Sequence, residues 1–304
     1  MAVTAAMVKE LRAETGAGMM DCKNALVETD GDIEAAVDVL REKGLAKAAK
    51  KADRIAAEGL VRLAFSEDRK TAAIIEVNSE TDFVSKNPEF VDFVEKLADI
   101  ALAAEDNSMD KFMEMYYPDG GKVSDALNQK ISKIGENMNI RRFAKFNAPG
   151  VVYTGYIHGG GRIGVIVGLE TEASAEDIEV IGKDVAMQVA SMNPKFVREE
   201  EVDKDWLANE EKIAREQLLN EGKKPELLDR IIPGKLKAIL KEVCLVDQKF
   251  VKNSDQTVSE YVDEASKSLG KDAKINEAVR YEVGEGIEKK QECFAEEVAA
   301  QIND

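Results

Sequence analysis

The sequence predicts an α+β fold with five parts: an N-terminal three-helix module, two related strand–strand–helix core subdomains, an inserted antiparallel helical hairpin and a C-terminal helical module. Three observations support this prediction. Apolar residues recur at helical spacing within residues 1–44. The alternation typical of strands begins near Gly59 and again near Gly150, and a long, charged helical pattern fills residues 199–243.

Composition limits the classes of partner. The 304 residues are 44% hydrophobic and 33% charged, which is enough apolar mass for a packed core. The net charge of -17 disfavours phosphate polymers and anionic membranes, so we expect no direct contact with nucleic acid or membrane. The local basic run at residues 41–54 is interpreted as a solvated linker helix rather than a nucleic-acid site.

Cysteine and histidine usage excludes several kinds of site. Cys22, Cys244 and Cys293 are widely spaced and odd in number, which fits neither a disulfide framework nor a metal site and favours a reducing, cytoplasmic compartment. The N-terminus becomes charged at Lys9, unlike a signal peptide. His158 is the only histidine, so a Ser-His-Asp triad would have to use it. We predict no metal, no cofactor and no catalytic residue.

The N-terminal module is predicted to contain three short helices. Thr4 caps the first, the second covers residues 21–27, and the third has an apolar stripe at residues 33–40 and stops at Gly44. So small a core is typical of a docking module. Met19 and Met20 either fill that core or lie exposed as an adaptable contact for a partner.

The two core subdomains are predicted from a repeated order of elements. Strands at residues 59–65 and 71–78 precede a helix that Pro88 opens, and strands at 151–158 and 162–170 precede a second long helix. Residues 124–142 are predicted to form a connecting helix. The resulting domain boundaries are 1–53 for the N-terminal module, 54–147 for subdomain 1, 148–198 with 236–276 for subdomain 2, 199–235 for the hairpin and 277–304 for the C-terminal module. Within the C-terminal module we predict a short strand at residues 279–283 and a final helix near residues 288–302.

The helical hairpin carries one apolar stripe on each arm. Such a stripe is buried either against the hairpin's own domain or against a second molecule, so a homodimer through this hairpin is one possibility. Pro233 and Gly234 lie in the second arm. Because proline lacks a backbone donor, we expect it to kink or split that arm.

One glycine motif imitates a nucleotide-binding fingerprint. Residues 159–164 satisfy G-x-G-x-x-G, but the fingerprint requires a helix after the glycines, and here a strand follows. The glycines therefore predict a hairpin turn, with His158 at its mouth as a solvated side chain or a contact for a partner.

The segment after the second strand contains carboxylates and an unusual aromatic residue. Glu76, Glu80 and Asp82 could bind a cation or do acid–base work, although a solvated acidic loop is the simpler interpretation. Phe83 follows directly. Its ring either tucks into the subdomain's own core or projects outward as an anchor for a partner. The matching stretch of the second subdomain lacks an aromatic residue, which favours the anchor.

Several motifs together resemble the elongation factor Ts family. The Thr81-Asp82-Phe83-Val84 segment resembles the family's signature loop. Further matches follow the family's order along nearly the whole chain: VKELR at 8–12, TGAGMMDCK at 15–23, KIGEN at 133–137, NIRR at 139–142, His158 with RIG at 162–164, AMQVA at 186–190 and RYEVGEGIEK at 280–289.

This resemblance implies a fold and a mechanism. The N-terminal module would be similar to a ubiquitin-associated domain. The protein would be an exchange factor without covalent chemistry, binding GDP-loaded elongation factor Tu, displacing its magnesium ion and so releasing GDP. Asp82 and Phe83 would be the working pair within Thr81–Val84, supported by partner contacts at Met19, Met20, Lys23, Ile134, Gly135 and His158. The rival hypotheses are a scaffold or chaperone without exchange activity, and a carboxylate–metal hydrolase.

Overall fold

The computed structural model describes residues 3–288. It confirms the predicted α+β class. In chain order its helices are α1 Ala5–Thr15, α2 Met19–Glu28, α3 Ile33–Ala49, α4 Asp82–Ser85, α5 Pro88–Ala103, α6 Met109–Glu114, α7 Val123–Ile134, α8 Ala175–Met192, α9 Lys204–Asn220, α10 Pro225–Val243 and α11 Val258–Leu269. The strands are β1 Glu58–Phe65, β2 Ala72–Ser79, β3 Met138–Phe146, β4 Val151–His158, β5 Ile163–Thr171, β6 Lys249–Phe250, β7 Asn253–Thr257 and β8 Ala273–Glu282.

The chain divides into two compact units. Of the described residues, the first unit contains 3–62, 75–144 and 282–288, and the second contains 63–74 and 145–281. The five-part division predicted from the sequence stays a prediction.

The two sheets repeat one arrangement. In the first sheet β2 lies between β1 and β3, and in the second sheet β5 lies between β4 and β8. In each case two strands adjacent in sequence are joined by a third that follows much later. The predicted strand–strand–helix repeat is therefore present, and each copy has an additional strand.

The N-terminal module contains the three predicted helices, but the third is longer than predicted. The Thr4 hydroxyl accepts a hydrogen bond from the backbone of Met7, and Gly16 ends α1 in the left-handed conformation. The stop predicted at Gly44 is wrong, because α3 continues to Ala49. Gly44 is buried within the helix where α3 packs against α7, and a Cβ there would make only an ordinary van der Waals contact, 3.8 Å from Ser132.

The predicted connecting helix ends eight residues early, at residue 134 instead of 142. Helix α7 ends at Ile134, because Gly135 adopts a left-handed conformation with φ +93°. The chain then forms β3, in which Met138 and Ile140 are buried on either side of the exposed Asn139. This alternation was a strand signal within the range predicted to be helical.

In the second unit, α8 packs across β4 and β5. Its core contains aliphatic side chains from all three elements, with Val152, Val167 and Ile178 among the buried residues. Gly182 of α8 faces Thr154 of β4 so closely that a Cβ would lie 2.0 Å from the threonine hydroxyl. Because glycine has no side chain, Gly182 allows α8 to lie this close to β4.

The helical hairpin consists of α9 and α10, which pack against each other and bury Leu218, Leu228 and Ile232. The predicted split at Pro233 is wrong, because α10 runs through it as one helix. Ile232 and Leu236, on either side of the proline, both join the hairpin's apolar cluster, while Pro233 itself is exposed. The second arm also extends beyond the predicted boundary at residue 235.

The C-terminal prediction is corrected in part. The strand predicted at residues 279–283 is the end of the longer β8, which belongs to the second sheet. Turns follow to residue 288. The helix predicted near residues 288–302 lies outside the described residues, as does Cys293.

Two glycine substitutions test this packing. Gly182→Ala should lower the free energy of unfolding by about 1–3 kcal/mol, because the new methyl group overlaps Thr154. The control Gly234→Ala lies in α10 with open space around it, and should raise stability by about 0.5–1 kcal/mol. Urea unfolding measures both. A Gly182→Ala variant as stable as the wild type would contradict the packing described here.

Candidate partner-docking site

The predicted signature loop is a single turn of helix. Helix α4 spans Asp82–Ser85, and Thr81 precedes it in an extended conformation. Two residues after the end of α4, the Asn87 side chain accepts a hydrogen bond from the Glu89 backbone N–H. Asn87 thereby caps α5, whose first residue is Pro88. The turn is therefore held between β2 on one side and a well-capped helix on the other.

Phe83 projects outward from this turn. Its side chain is 80% exposed, the highest value among the large hydrophobic residues described as exposed, whereas the adjacent Val84 is 6% exposed. Successive residues of a helix point about 100° apart, so one turn can bury Val84 and expose Phe83. The ring therefore points outward, and the alternative in which it fills its own core is wrong. Its role as an anchor for a partner stays a prediction.

Asp82 has a defined local environment. Its carboxylate accepts a hydrogen bond from Lys86 Nζ at 2.6 Å, and its backbone carbonyl accepts one from the Ser85 hydroxyl at 2.8 Å. Asp82 and Lys86 are both largely exposed, so solvent screens their ion pair. A group arriving from a partner can therefore compete for this carboxylate.

Crossed hydrogen bonds connect the start of the turn to the segment after α7. The Glu136 carboxylate accepts from the Thr81 backbone N–H at 3.0 Å and from the Thr81 hydroxyl at 2.7 Å. In the opposite direction, the Glu80 carboxylate accepts from the Asn137 backbone N–H. Asn137 also donates to the backbone carbonyl of Arg54 at 2.7 Å. These bonds fix the turn relative to β3.

Glu76 is not part of a solvated acidic loop, and that interpretation is corrected. Its side chain is fully buried on β2. One carboxylate oxygen accepts from Arg141 at 3.0 Å and from the Gly284 backbone at 2.8 Å, and the other accepts from Arg142 at 2.6 Å. Glu76 therefore ties β2 to β3 and to the segment after β8.

The pKa of Arg142 depends on its burial and on the nearby carboxylates. Partial burial disfavours its charge, but the hydrogen bond and attraction from Glu76 outweigh that effect and raise the pKa of Arg142. Glu285 lies 3.1 Å from the same guanidinium. The network is thus a structural ion cluster rather than an acid–base pair.

The supporting residues predicted in the first unit lie at or near the surface. Met19 and Met20 are 59% and 63% exposed, and Lys23 is exposed on the same helix. The alternative in which the methionines fill the module's core is therefore wrong; that core contains Leu11, Cys22 and Leu26. In addition, Ile134 is partly buried and Gly135 exposed at the end of α7, immediately before Glu136.

His158 lies in the second unit, at the end of β4. The β4–β5 register pairs it with Ile163, and the intervening glycines all have positive φ, which confirms the predicted hairpin turn. His158 is exposed, and its Nδ1 lies 3.0 Å from the Tyr156 hydroxyl. Because β5 rather than a helix follows the glycines, the dinucleotide fingerprint is absent here.

Other functional features were sought in the same part of the chain. Within residues 3–288, no group of three or more His, Cys, Asp or Glu side chains is arranged to hold a metal ion. None of the described helices is both long and apolar enough to cross a membrane. The expectation of no cofactor stays a prediction.

Sequence reasoning missed Glu136 and Arg142 as parts of this site. Both lie in stretches quoted for the family resemblance, but nothing in their spacing shows their partners, which are 55 and 66 residues away in the chain. A buried carboxylate is recognisable only when its two arginines are known to lie on the neighbouring strand.

Comparisons with known proteins define the class of protein, a translation elongation factor. The family model described as "Elongation factor TS" matches residues 80–285. Elongation factor Ts of Clostridioides difficile (strain 630) is 52% identical over 300 residues, with 99% of each chain covered. Those of Clostridium novyi (strain NT) and Clostridium botulinum (strain Alaska E43 / Type E3) are 52% and 49% identical, again with 99% of each chain covered. The chain belongs to the elongation factor Ts family.

Removal of the Glu76 charge should loosen the first unit. Glu76→Gln places an amide donor among two guanidinium groups and a backbone N–H, so we expect a loss of about 3–5 kcal/mol in the free energy of unfolding. The control Glu67→Gln changes an exposed turn residue and should have almost no effect. Equal urea midpoints for the two variants would show that the buried cluster contributes little.

Proposed function

We propose that this chain is a guanine nucleotide exchange factor that acts on elongation factor Tu in the cytoplasm. It binds the GDP-loaded partner, displaces the partner's magnesium ion and speeds GDP release, so that GTP can load. The observation that carries this proposal is the 80% exposed Phe83 on a braced helical turn beside an exposed carboxylate. Membership of the elongation factor Ts family supports it.

Phe83 acts as a wedge in this mechanism. A rigid aromatic ring surrounded by polar groups is an efficient anchor, because burying it on a partner releases water at a small cost in side-chain entropy. Insertion of the ring shifts the elements of the partner that hold the metal and the phosphates. Asp82 competes for donors that are released there.

Loss of the magnesium ion removes the largest local positive charge beside the GDP phosphates, so the nucleotide leaves faster. A 10⁴-fold acceleration corresponds to about 5.5 kcal/mol of the release barrier. One ring cannot supply this alone. The remainder comes from further contacts of the first unit, at Met19, Met20, Lys23, Ile134 and Gly135, and from a separate contact of the second unit at His158.

Linkage imposes a further requirement. If binding of this chain weakens the partner's affinity for nucleotide by some factor, then nucleotide must weaken binding of this chain by the same factor. GTP therefore helps to release the exchange factor. No chemistry on this chain is needed, and the net charge of -17 suits a partner surface of protein rather than RNA.

The wedge is tested by removing the ring. Phe83→Ala should keep most of the partner binding but lose most of the acceleration of labelled-GDP release in stopped flow, with Phe83→Leu intermediate because it keeps part of the apolar volume. The control Tyr116→Ala removes another aromatic side chain, 70% exposed, and should exchange at the wild-type rate. A wild-type rate for Phe83→Ala would reject the wedge. A wild-type chain that binds without acceleration would favour a scaffold.

The N-terminal contact is tested by its effect on affinity. Changing Met19 and Met20 together to serine removes two exposed apolar side chains that do not belong to the module's buried cluster, so the unfolding midpoint should not move. The concentration of factor for half-maximal exchange should rise by about tenfold, while the maximal rate stays the same. A reduced maximal rate at unchanged half-saturation would instead assign these methionines to the release step.

We propose that only the exposed apolar residues of the helical hairpin could form a self-association surface. Its buried leucines and isoleucines pack within the hairpin, whereas Ile213, Leu219 and Leu227 are 39–46% exposed. A homodimer through these residues stays a prediction.

A further inference from the structure

Glu136 occupies an unusual position beside the docking turn. It follows Ile134 and Gly135, two proposed partner contacts, yet its partly buried carboxylate is directed to its own chain. Both carboxylate oxygens bond to one residue: Oε2 accepts from the Thr81 backbone at 3.0 Å, and Oε1 accepts from the Thr81 hydroxyl at 2.7 Å. Such two-point contact fixes orientation as well as distance.

Because of its contact with Glu136, the Thr81 side chain does not cap α4. A threonine before the first turn of a helix usually caps it with its own hydroxyl, but the Thr81 side chain makes no cap to α4. Its hydroxyl donates to Glu136 instead. The short helix carrying Phe83 is therefore held from outside, by a carboxylate 55 residues further along the chain, rather than by a cap of its own.

A second bond makes the connection rigid. The Glu80 carboxylate accepts from the Asn137 backbone, so two adjacent residues before the turn are bonded to two adjacent residues after α7 in opposite directions. Crossed bonds of this kind resist both sliding and rotation. The left-handed Gly135 immediately before Glu136 lets the chain leave α7 at the angle that this contact needs.

We infer that Glu136 is a positioning residue that holds the Phe83 turn and the end of α7 as one rigid docking surface. This inference rests on the proposed exchange function. A ring that is already fixed in its bound orientation loses less conformational entropy on insertion, so more of the binding free energy is left to distort the partner. Without the brace, the turn samples several orientations and fewer encounters insert the ring.

The competing explanation is that the Glu136 charge acts directly on the partner. Glutamine separates the two. In Glu136→Gln, the amide oxygen can accept from the Thr81 N–H, and the amide nitrogen can donate to the Thr81 hydroxyl, which accepts as well as donates. The brace is kept while the charge is lost. Glu136→Ala removes both.

The brace is tested first in the free protein, where the partner plays no part. Hydrogen exchange of the Thr81 amide, followed by NMR, should accelerate by at least about tenfold in Glu136→Ala and by less than about threefold in Glu136→Gln. The Glu89 amide, which Asn87 caps, is the internal control and should not change. An unchanged Thr81 amide in Glu136→Ala overturns the inference, whatever the exchange activity.

Exchange activity is tested next, with labelled GDP on elongation factor Tu. Glu136→Ala should lower the maximal release rate by about tenfold, the effect of losing roughly one well-placed hydrogen bond. Glu136→Gln should stay within about threefold of the wild type. In a Phe83→Ala background, Glu136→Ala should cause no further loss, because the brace acts through the ring.

The outcomes are distinguishable. A loss in Glu136→Gln as large as that in Glu136→Ala overturns positioning in favour of a direct charge contact. An additional tenfold loss on adding Glu136→Ala to the Phe83→Ala background would also overturn the positioning role. A wild-type release rate for Glu136→Ala alone would overturn it as well. If the wild-type chain accelerates nothing, the proposed function fails, while the amide measurement still decides whether the brace exists.

Discussion

The contact between Glu136 and Thr81 is the constraint on which the docking site depends. A single helical turn has too few hydrogen bonds to keep its own shape, because nucleation of a helix is unfavourable. Here the turn is anchored below by the buried Val84 and at its start by Glu136. With both anchors in place, an apolar ring can remain in water in a fixed direction, which a flexible loop would not permit.

Charged groups in the first sheet contribute to this rigidity. Fully buried Glu76 joins two adjacent arginines of β3 and the backbone of Gly284. Such a cluster favours one pairing of β2 with β3, because a shift of β3 would disturb both arginine contacts of the buried carboxylate. It thereby supports the arrangement in which Glu136 contacts Thr81.

Several features of this molecule could be predicted from sequence because their signals are local. The Thr4 cap, the glycine turn after His158 and the exposed ring of Phe83 each depend on neighbouring residues. The errors concern non-local packing. Gly44 resembled a helix stop but is buried where α3 packs against α7. Pro233 resembled a break but lies on the solvent side of a helix whose other face is buried. Glu76 resembled a solvated acid because its arginine partners lie some 65 residues away.

Under the proposed function, this chain speeds nucleotide release by removing the partner's magnesium ion. The most direct test measures GDP release from elongation factor Tu at saturating exchange factor, first with excess magnesium and then with excess EDTA. If displacement of the metal drives release, chelation should mimic part of the effect, and the acceleration should shrink by at least about tenfold. Equal acceleration with and without the metal would contradict the claim.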